Sequence, residues 1–524
     1  MAPMVASAWA RELWAPDEPR YAEVAREIYD GGSFLVMHLC GQIYPDKPPL
    51  LFWLAGFFGW LSDWSELWMR LPSLAATFGT AALVARVARR WWSSTAAPLA
   101  AAVYLSTVMV TEIGGRLQID PLLAFLCLLA LDLIDRPADS RRQRALYVLA
   151  AGLTVGIGGL AKGPLAIVNV GLVLAAWRWL GPRRSGPRAG RLVWSGAAVL
   201  AVAPMAAWAL LASAVEPALF RELFFGQHAG RITHADRHPG PPWKHLLRMP
   251  LLLLPWTGAV IGGLIAGLRG IRHRKEADVD DGTVRAALWF GALVVFFSLI
   301  PPKRDLYLLF AYPAAALLAA AYLERRAGEK HTSRWITLPG PVVLLVVGAA
   351  MAVAPAFIDV LPGLGWRGPV VGVTTAAAAI GALIALKKSG LHAWSNALLV
   401  AWWLFATLTA ALVFPVVNTV KSTRGPAAEI VARDQRPTEI PCLGVRPEGF
   451  RFYGDGKLPA VPGEGLDLEA VIEREGTDFL ALVSVATWNE IAPTLGTGIR
   501  VLSEEQVGDK DFVLIGAAPD DGNH

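Results

Sequence analysis

Cysteine is scarce in this chain: three in 524 residues, Cys40, Cys127 and Cys442, at spacings that match neither a metal-ligand pattern nor a disulfide framework. A Cys40–Cys442 bridge is not expected. Charge is scarce too, at 17% of residues against 54% hydrophobic, and the mean hydropathy of +0.44 excludes an ordinary soluble protein. No internal repeat or low-complexity tract is present. The net charge of +5 does not indicate nucleic acid, because the basic residues sit in short loops between apolar segments rather than on one soluble face.

What is present is a succession of apolar segments. A spanning helix needs about 20 largely apolar residues, and twelve such spans are predicted near 71–90, 96–113, 119–135, 145–161, 163–180, 191–214, 246–268, 284–301, 304–323, 336–358, 368–386 and 394–414. Residues 48–61 are apolar but short, which suits a re-entrant or interfacial segment. The opening 15 residues carry Arg11 and Glu12 and make neither a span nor a signal peptide. Nearly half of the 48 basic residues fall in alternate loops, at 86–90, 136–144, 178–191, 269–285, 325–334 and 387–388; the short loops between hold far fewer, Arg116, Lys162, Lys303 with Arg304, and Arg367. By the positive-inside rule the arginine-rich loops face the cytoplasm. Residues 16–49, the 215–245 loop and the C-terminal tail then lie outside. From Val420 onward, short apolar runs alternate with charged helical stretches, which predicts a small α/β domain over 420–524. The expected organisation is an outer segment over 1–70, a transmembrane domain over 71–415 and that extramembrane domain.

The charge missing from the spans is concentrated in residues 16–49, PDEPRYAEVAREIYDGGSFLVMHLCGQIYPDKPP. Glu23, Arg26, Glu27 and Asp30 recur at three- and four-residue spacing opposite Ala22, Val24, Ala25 and Ile28, an amphipathic helix suited to a membrane surface. The plain expectation for that charged row is a solvated face laced with i,i+3 and i,i+4 ion pairs. Asp17, Glu18 and Lys47 lie outside the row, beside prolines, and a proline-flanked Asp17 is equally suited to cap the helix that begins near Pro19.

The runs PDEPRYAEVAREIYDGG, YPDKPPLLFWL and RLPS resemble the first outer loop of the membrane-embedded glycosyltransferases that use lipid-linked sugars, a family that includes the lipid A aminoarabinose transferase and the protein O-mannosyltransferases. The resemblance covers the first 320 residues best. In that family a spanning helix immediately precedes the PDE segment, so the resemblance implies a first spanning helix encoded upstream of Met1. It implies an α-helical polytopic membrane protein of the GT-C type with a small C-terminal extramembrane α/β domain. It also implies transfer of a sugar from a polyprenyl phosphate to lipid A, another glycolipid or glycan, or a protein, on the outer face of a bacterial inner membrane. Under it Asp17 is the general base, with Glu18 beside it, and Asp120 is a second acidic position, although an Asp before Pro121 can equally cap a helix.

The donor phosphate, already a stable anion on departure, requires cationic hydrogen-bond donors rather than an acid. Arg20, Tyr21, Tyr44, Lys47, Lys303, Arg304 and Tyr307 are the residues expected to bind it, with snorkelling at the interface as the simpler account of Lys47. Lys162, in GLAKGP, matches a recurrent motif to which no role attaches. The loop 225–243, rich in glycine and proline, groups His228, Arg231, His234, Arg237 and His238 as a lid over the carrier. A divalent ion (Zn, Mg or Mn) would find its ligands in Asp46, which replaces the family's Glu with a shorter arm, and in His228 and His238. The rival function is a transporter or flippase of a lipid-linked sugar. It would need polar groups near mid-span, for which Asp132 and Glu112 are the nearest candidates.

Overall fold

The computed structural model describes residues 1–182, 186–221, 240–272, 280–327, 333–357, 363–455, 457–463, 466–495, 498–508 and 510–517. The protein is a polytopic α-helical membrane protein with a small C-terminal sheet. It folds as two compact units, one built from Met1–Trp9, Pro45–Leu51 and Arg70–Val413, the other from Ala10–Tyr44, Phe52–Met69 and Phe414–His524. The opening 70 residues are therefore shared between the units.

In the first unit, seven helical runs among the described residues are long and apolar enough to cross a membrane. The twelve predicted segments are found as helices, but several are interrupted, and the interruptions have local causes. The 96–113 segment breaks into Ala96–Leu105 and Val108–Ile113, because Ser106 and Thr107 donate their hydroxyls back to the carbonyls of Ala102 and Tyr104 and Thr107 adopts an extended ψ of 141°. The break is filled: the Trp256 indole donates to Ser106 Oγ at 2.8 Å and the Val108 amide to the Leu254 carbonyl at 2.9 Å. The 246–268 segment is likewise divided into Lys244–Leu252 and Thr257–Arg272 around Pro255, which lacks an amide hydrogen to continue the ladder. In the continuous run Arg367–Lys421, Gly390 sits at φ 81°, a conformation open to glycine, and separates the two spans expected there. The helix Leu50–Leu61 has 12 residues, about 18 Å at 1.5 Å per residue, well short of a bilayer core of about 30 Å, as the re-entrant reading expects.

The arginine-rich ends of these helices are locked to two aspartates. Asp132, fully buried, takes Arg90 at 2.9 Å, Arg136 at 3.0 Å and Arg86; Asp135 takes Arg90 at 2.7 Å and Arg285 at 2.9 Å. At the opening of the unit, the helix Ala2–Ala10 lies against Gly114 and Gly115. A Cβ at Gly115 would stand 2.9 Å from the Met4 carbonyl oxygen, so the GGR sequence admits that close approach. Arg70 is fully buried and donates to the Ala8 carbonyl at 2.8 Å.

The second unit carries a two-residue hairpin, β1 (His38–Leu39) with β2 (Gln42–Ile43), and a five-stranded sheet. The strands β3 (Ile440–Leu443), β4 (Ala460–Pro462), β5 (Leu480–Ser484), β6 (Ile499–Val507) and β7 (Lys510–Ala517) run in the order β4-β3-β5-β7-β6. Strand β3 is parallel to both β4 and β5, whereas β7 is antiparallel to β5 and β6. Central β5 reads as an apolar run because both its faces are covered: Leu480 and Leu482 pack with Phe450, Phe512 and Leu514, and Ala481 and Val483 with Val471, Phe479 and Ile515. The three cysteines are buried and free.

Candidate active site

In the second unit the helix Asp17–Tyr29 begins at Asp17 itself, after Pro16, and no side chain caps it. Asp17 is thus the first helical residue, placed favourably at the positive end of the helix dipole. Its carboxylate is 7% exposed and receives Arg20 Nη2 at 2.5 Å. The Arg20 guanidinium lies 5.3 Å from the ring centre of Tyr21 and 6.0 Å from that of Tyr44, and both tyrosines meet Phe52 edge-on, at 5.7 and 6.0 Å. Asp17, Arg20, Tyr21 and Tyr44 are therefore brought together, as a carboxylate and a cation set among aromatic rings.

Glu18 is placed differently. It is 2% exposed and paired at 3.3 Å with Arg11, which is itself 1% exposed and stacked 5.1 Å from Trp14. Glu18 is thus held in a buried ion pair beside the helix entry.

The solvated-face expectation for Glu23, Arg26, Glu27 and Asp30 is corrected. Only Asp30 is well exposed; Glu23 is fully buried and Arg26 nearly so. The helix Glu448–Tyr453 packs on this face and brings Arg451 to Glu23 at 2.9 Å and to Glu27 at 3.4 Å, while Arg26 holds Glu23 at 3.0 Å. Burial pushes the Glu23 carboxyl up to about 7, with Glu27 adding to the rise and Arg26 and Arg451 opposing it.

In the first unit Asp120 sits in the opening turn of Ile119–Asp135, 4% exposed, and forms an ion pair with Lys162 rather than capping the helix. Lys162 Nζ also lies 5.1 Å from the ring centre of Tyr307. The structure thus gives the GLAKGP lysine the partners that the sequence left unassigned. Ser73 of the RLPS motif exchanges hydrogen bonds with Gln118, 2.8 and 3.1 Å, and so steadies the strand of chain leading into Asp120.

Lys303 is 3% exposed and donates to the carbonyls of Phe297, Ser298 and Ile300, so its ammonium closes the C-terminal end of the helix Asp281–Leu299. Arg304 and Tyr307 are half-buried beside it, with Tyr307 6.1 Å from Phe297. A constellation absent from the sequence reading joins this segment: Asp305 takes Arg248 Nε at 2.9 Å and lies 3.4 Å from buried His245 Nδ1. Its signal in the sequence is three basic residues in an otherwise apolar run, KHLLRMPLL.

Asp46 and Lys47 are half-buried, and Lys47 Nζ reaches the Asp46 carbonyl at 3.1 Å. The lid residues His228, Arg231, His234, Arg237 and His238 lie outside the described residues. Among the described residues no three His, Cys, Asp or Glu side chains converge as metal ligands, and of the expected ligands only Asp46 is among them. Both charges that pointed to a transport path are accounted for otherwise: Asp132 is clamped by three arginines, and Glu112 pairs with Arg116 at 2.6 Å on the surface.

Residues 46–209 match the family model described as dolichyl-phosphate-mannose-protein mannosyltransferase. The chain is 32% identical over 332 residues to undecaprenyl phosphate-alpha-4-amino-4-deoxy-L-arabinose arabinosyl transferase 1 of Sodalis glossinidius, an alignment covering 62% of this chain and 57% of that protein. It is 29% identical over 367 residues to the transferase of the same description from Yersinia enterocolitica, covering 69% and 63%. The chain thus spans less than two thirds of the length of these relatives. The crystal structure of ArnT from Cupriavidus metallidurans bound to undecaprenyl phosphate shares the fold, with a TM-score of 0.75 over 99% of this chain and 96% of that one at 19% identity.

Proposed function

We propose that this relative of the membrane-embedded polyprenyl-phosphate-sugar glycosyltransferases transfers a sugar from a polyprenyl phosphate to an acceptor on the periplasmic face of a bacterial inner membrane. The observation that carries the reading is the state of Asp17: a nearly buried carboxylate, oriented by Arg20 among Tyr21 and Tyr44, in the segment that carries the family pattern. In the transfer, the acceptor oxygen bonds to the anomeric carbon while the bond from that carbon to the phosphate oxygen breaks, its electron pair leaving with the phosphate. The acceptor proton passes to Asp17. The phosphate gains charge as it departs and is met by charge-assisted donors. Lys47 and Arg304, which the family resemblance assigns to the carrier phosphate, are the donors to test in this role.

Two of the three expected metal ligands, His228 and His238, lie outside the described residues, and no step here is routed through a metal. The named relatives make an undecaprenyl-phosphate aminopentose the first donor to try; lipid A, an acceptor implied by the sequence resemblance, is the first acceptor to try, with other glycolipids and protein hydroxyls next. The test is incubation of the purified protein with a panel of undecaprenyl-phosphate sugars, scored by release of undecaprenyl phosphate. Release from at least one donor, dependent on acceptor, is expected; no release from any donor would refute the reading.

A further inference from the structure

A polar cavity lies in the first unit, among residues that the transfer reading does not use. It has a volume of about 850 Å³ and is walled by Arg144, Arg178, Arg188 and Arg285 together with Trp177 and Trp194. That volume falls within the range of roughly 300–1,000 Å³ typical of sites for small organic ligands and exceeds what a lone inorganic anion fills. No carboxylate is among the described lining residues.

The four cations are held in different ways. Arg285 is compensated by Asp135 at 2.9 Å, and its backbone carbonyl accepts the Trp177 indole at 3.0 Å. Arg144 is fixed by the carbonyls of Ile134 and Arg136, at 2.8 and 2.9 Å, contacts that orient its charge without cancelling it. Arg178 ends the helix Leu165–Leu180, and Arg188 lies in the loop before Arg191–Val215; both are exposed. The wall therefore presents more positive charge than its own residues neutralise.

What surrounds the cavity identifies the phase its ligand comes from. Trp194 lines it and is exposed, and Trp179, Leu180 and Leu192, which flank its lining residues along the chain, are exposed too, Trp179 at 78% and Leu192 at 86%. Tryptophan and leucine beside arginine at the ends of spanning helices mark the boundary between acyl chains and headgroups. A ligand bound here has its charged end on the arginines and an apolar end along the exposed helix faces. The same loops carry the basic bias expected of the cytoplasmic side, where the leaflet is anionic.

We propose that this cavity is a binding site for the headgroup of an anionic phospholipid, with the phosphodiester on Arg178, Arg188 and Arg144 and the acyl chains outside on the Trp179–Leu192 surface. The site is independent of the sugar donor: it takes a structural lipid of the facing leaflet and holds four helix ends together through one ligand.

The test is native mass spectrometry of the full chain released from detergent, with cardiolipin, phosphatidylglycerol or phosphatidylcholine added at matched concentrations. The wild type should retain one anionic lipid in preference to phosphatidylcholine. Arg178→Glu/Arg188→Glu should weaken that retention at least tenfold, and Arg178→Gln/Arg188→Gln, the milder pair, should weaken it less. Lys387→Glu/Lys388→Glu makes the same change in net charge on another exposed stretch and should leave it unchanged. An equal loss in the arginine and lysine pairs would overturn the proposal as general surface electrostatics, as would retention unaffected by both arginine pairs. Displacement of the lipid by millimolar inorganic phosphate would overturn it in favour of a soluble anion.

Discussion

At the scale of single residues, two aspartates next to prolines carried the same ambiguity in the sequence, capping or chemistry, and the structure separates the two by partner. Asp17 lies inside the first turn and holds Arg20; Asp120 lies inside the first turn and holds Lys162. The proline neighbours announced a helix start but could not announce a partner 42 residues away. Asp17→Asn keeps an oxygen for Arg20 but cannot take up a proton at working pH. It should express and melt like wild type while losing turnover on the order of 10²-fold or more, read by release of undecaprenyl phosphate. Transfer at the normal rate by this variant would remove Asp17 as the base. Lys162→Met leaves the buried Asp120 without its cation and should cost about 3–5 kcal/mol of stability, most of it restored in the double variant with Asp120→Asn. A single variant as stable as wild type in chemical unfolding would show that the pair is not closed in solution. Lys47→Ala, if Lys47 meets the leaving phosphate, should lose about 2.7–4 kcal/mol of transition-state stabilisation, seen in turnover rather than in folding.

At the scale of elements, helical periodicity located the Asp17–Tyr29 helix and its apolar side, yet misjudged its charged side. The row Glu23, Arg26, Glu27 looked like a solvated face because the element covering it, Glu448–Tyr453, is more than 400 residues further along the chain. Interrupted spans were missed for a related reason. Hydropathy averages over Ser106–Thr107 and over Pro255, where a pair of hydroxyls or one missing amide hydrogen ends a helix that its neighbours would continue. The buried charge has a pH consequence. Glu23 has its carboxyl raised to about 7 in the fold, so the folded state holds that proton more tightly than the unfolded state. The stability from this group is complete below the ordinary carboxylate range, near 4.5, and is lost as pH rises through about 7. Thermal unfolding should therefore show the melting temperature falling between pH 5 and 7.5, and Glu23→Gln should flatten that slope. An identical slope in the variant would assign the pH dependence to other groups.

At the scale of the whole molecule, scarce charge, alternate basic loops and a polar C-terminal stretch were enough to read a polytopic helical protein with an extramembrane α/β domain. The composition of the units was not legible, because Met1–Trp9 and Pro45–Leu51 pack with the spans while the residues between them pack with the sheet. Such interleaving depends on long-range contacts that leave no local pattern. The basic bias also predicts an orientation: reporter fusions after residues 140 and 328 should report cytoplasm and fusions after 235 and 440 the outer side, and any two reversed would refute it. The central claim is that the chain breaks the bond between sugar and carrier rather than moving the two together. A donor labelled separately in its sugar and its phosphate, supplied with lipid A to the purified protein in liposomes, tests that claim most directly. The account predicts that the labels part, the sugar label passing to lipid A and the phosphate label remaining as undecaprenyl phosphate in equal amount. Labels that stay together while the intact donor changes leaflet would contradict it.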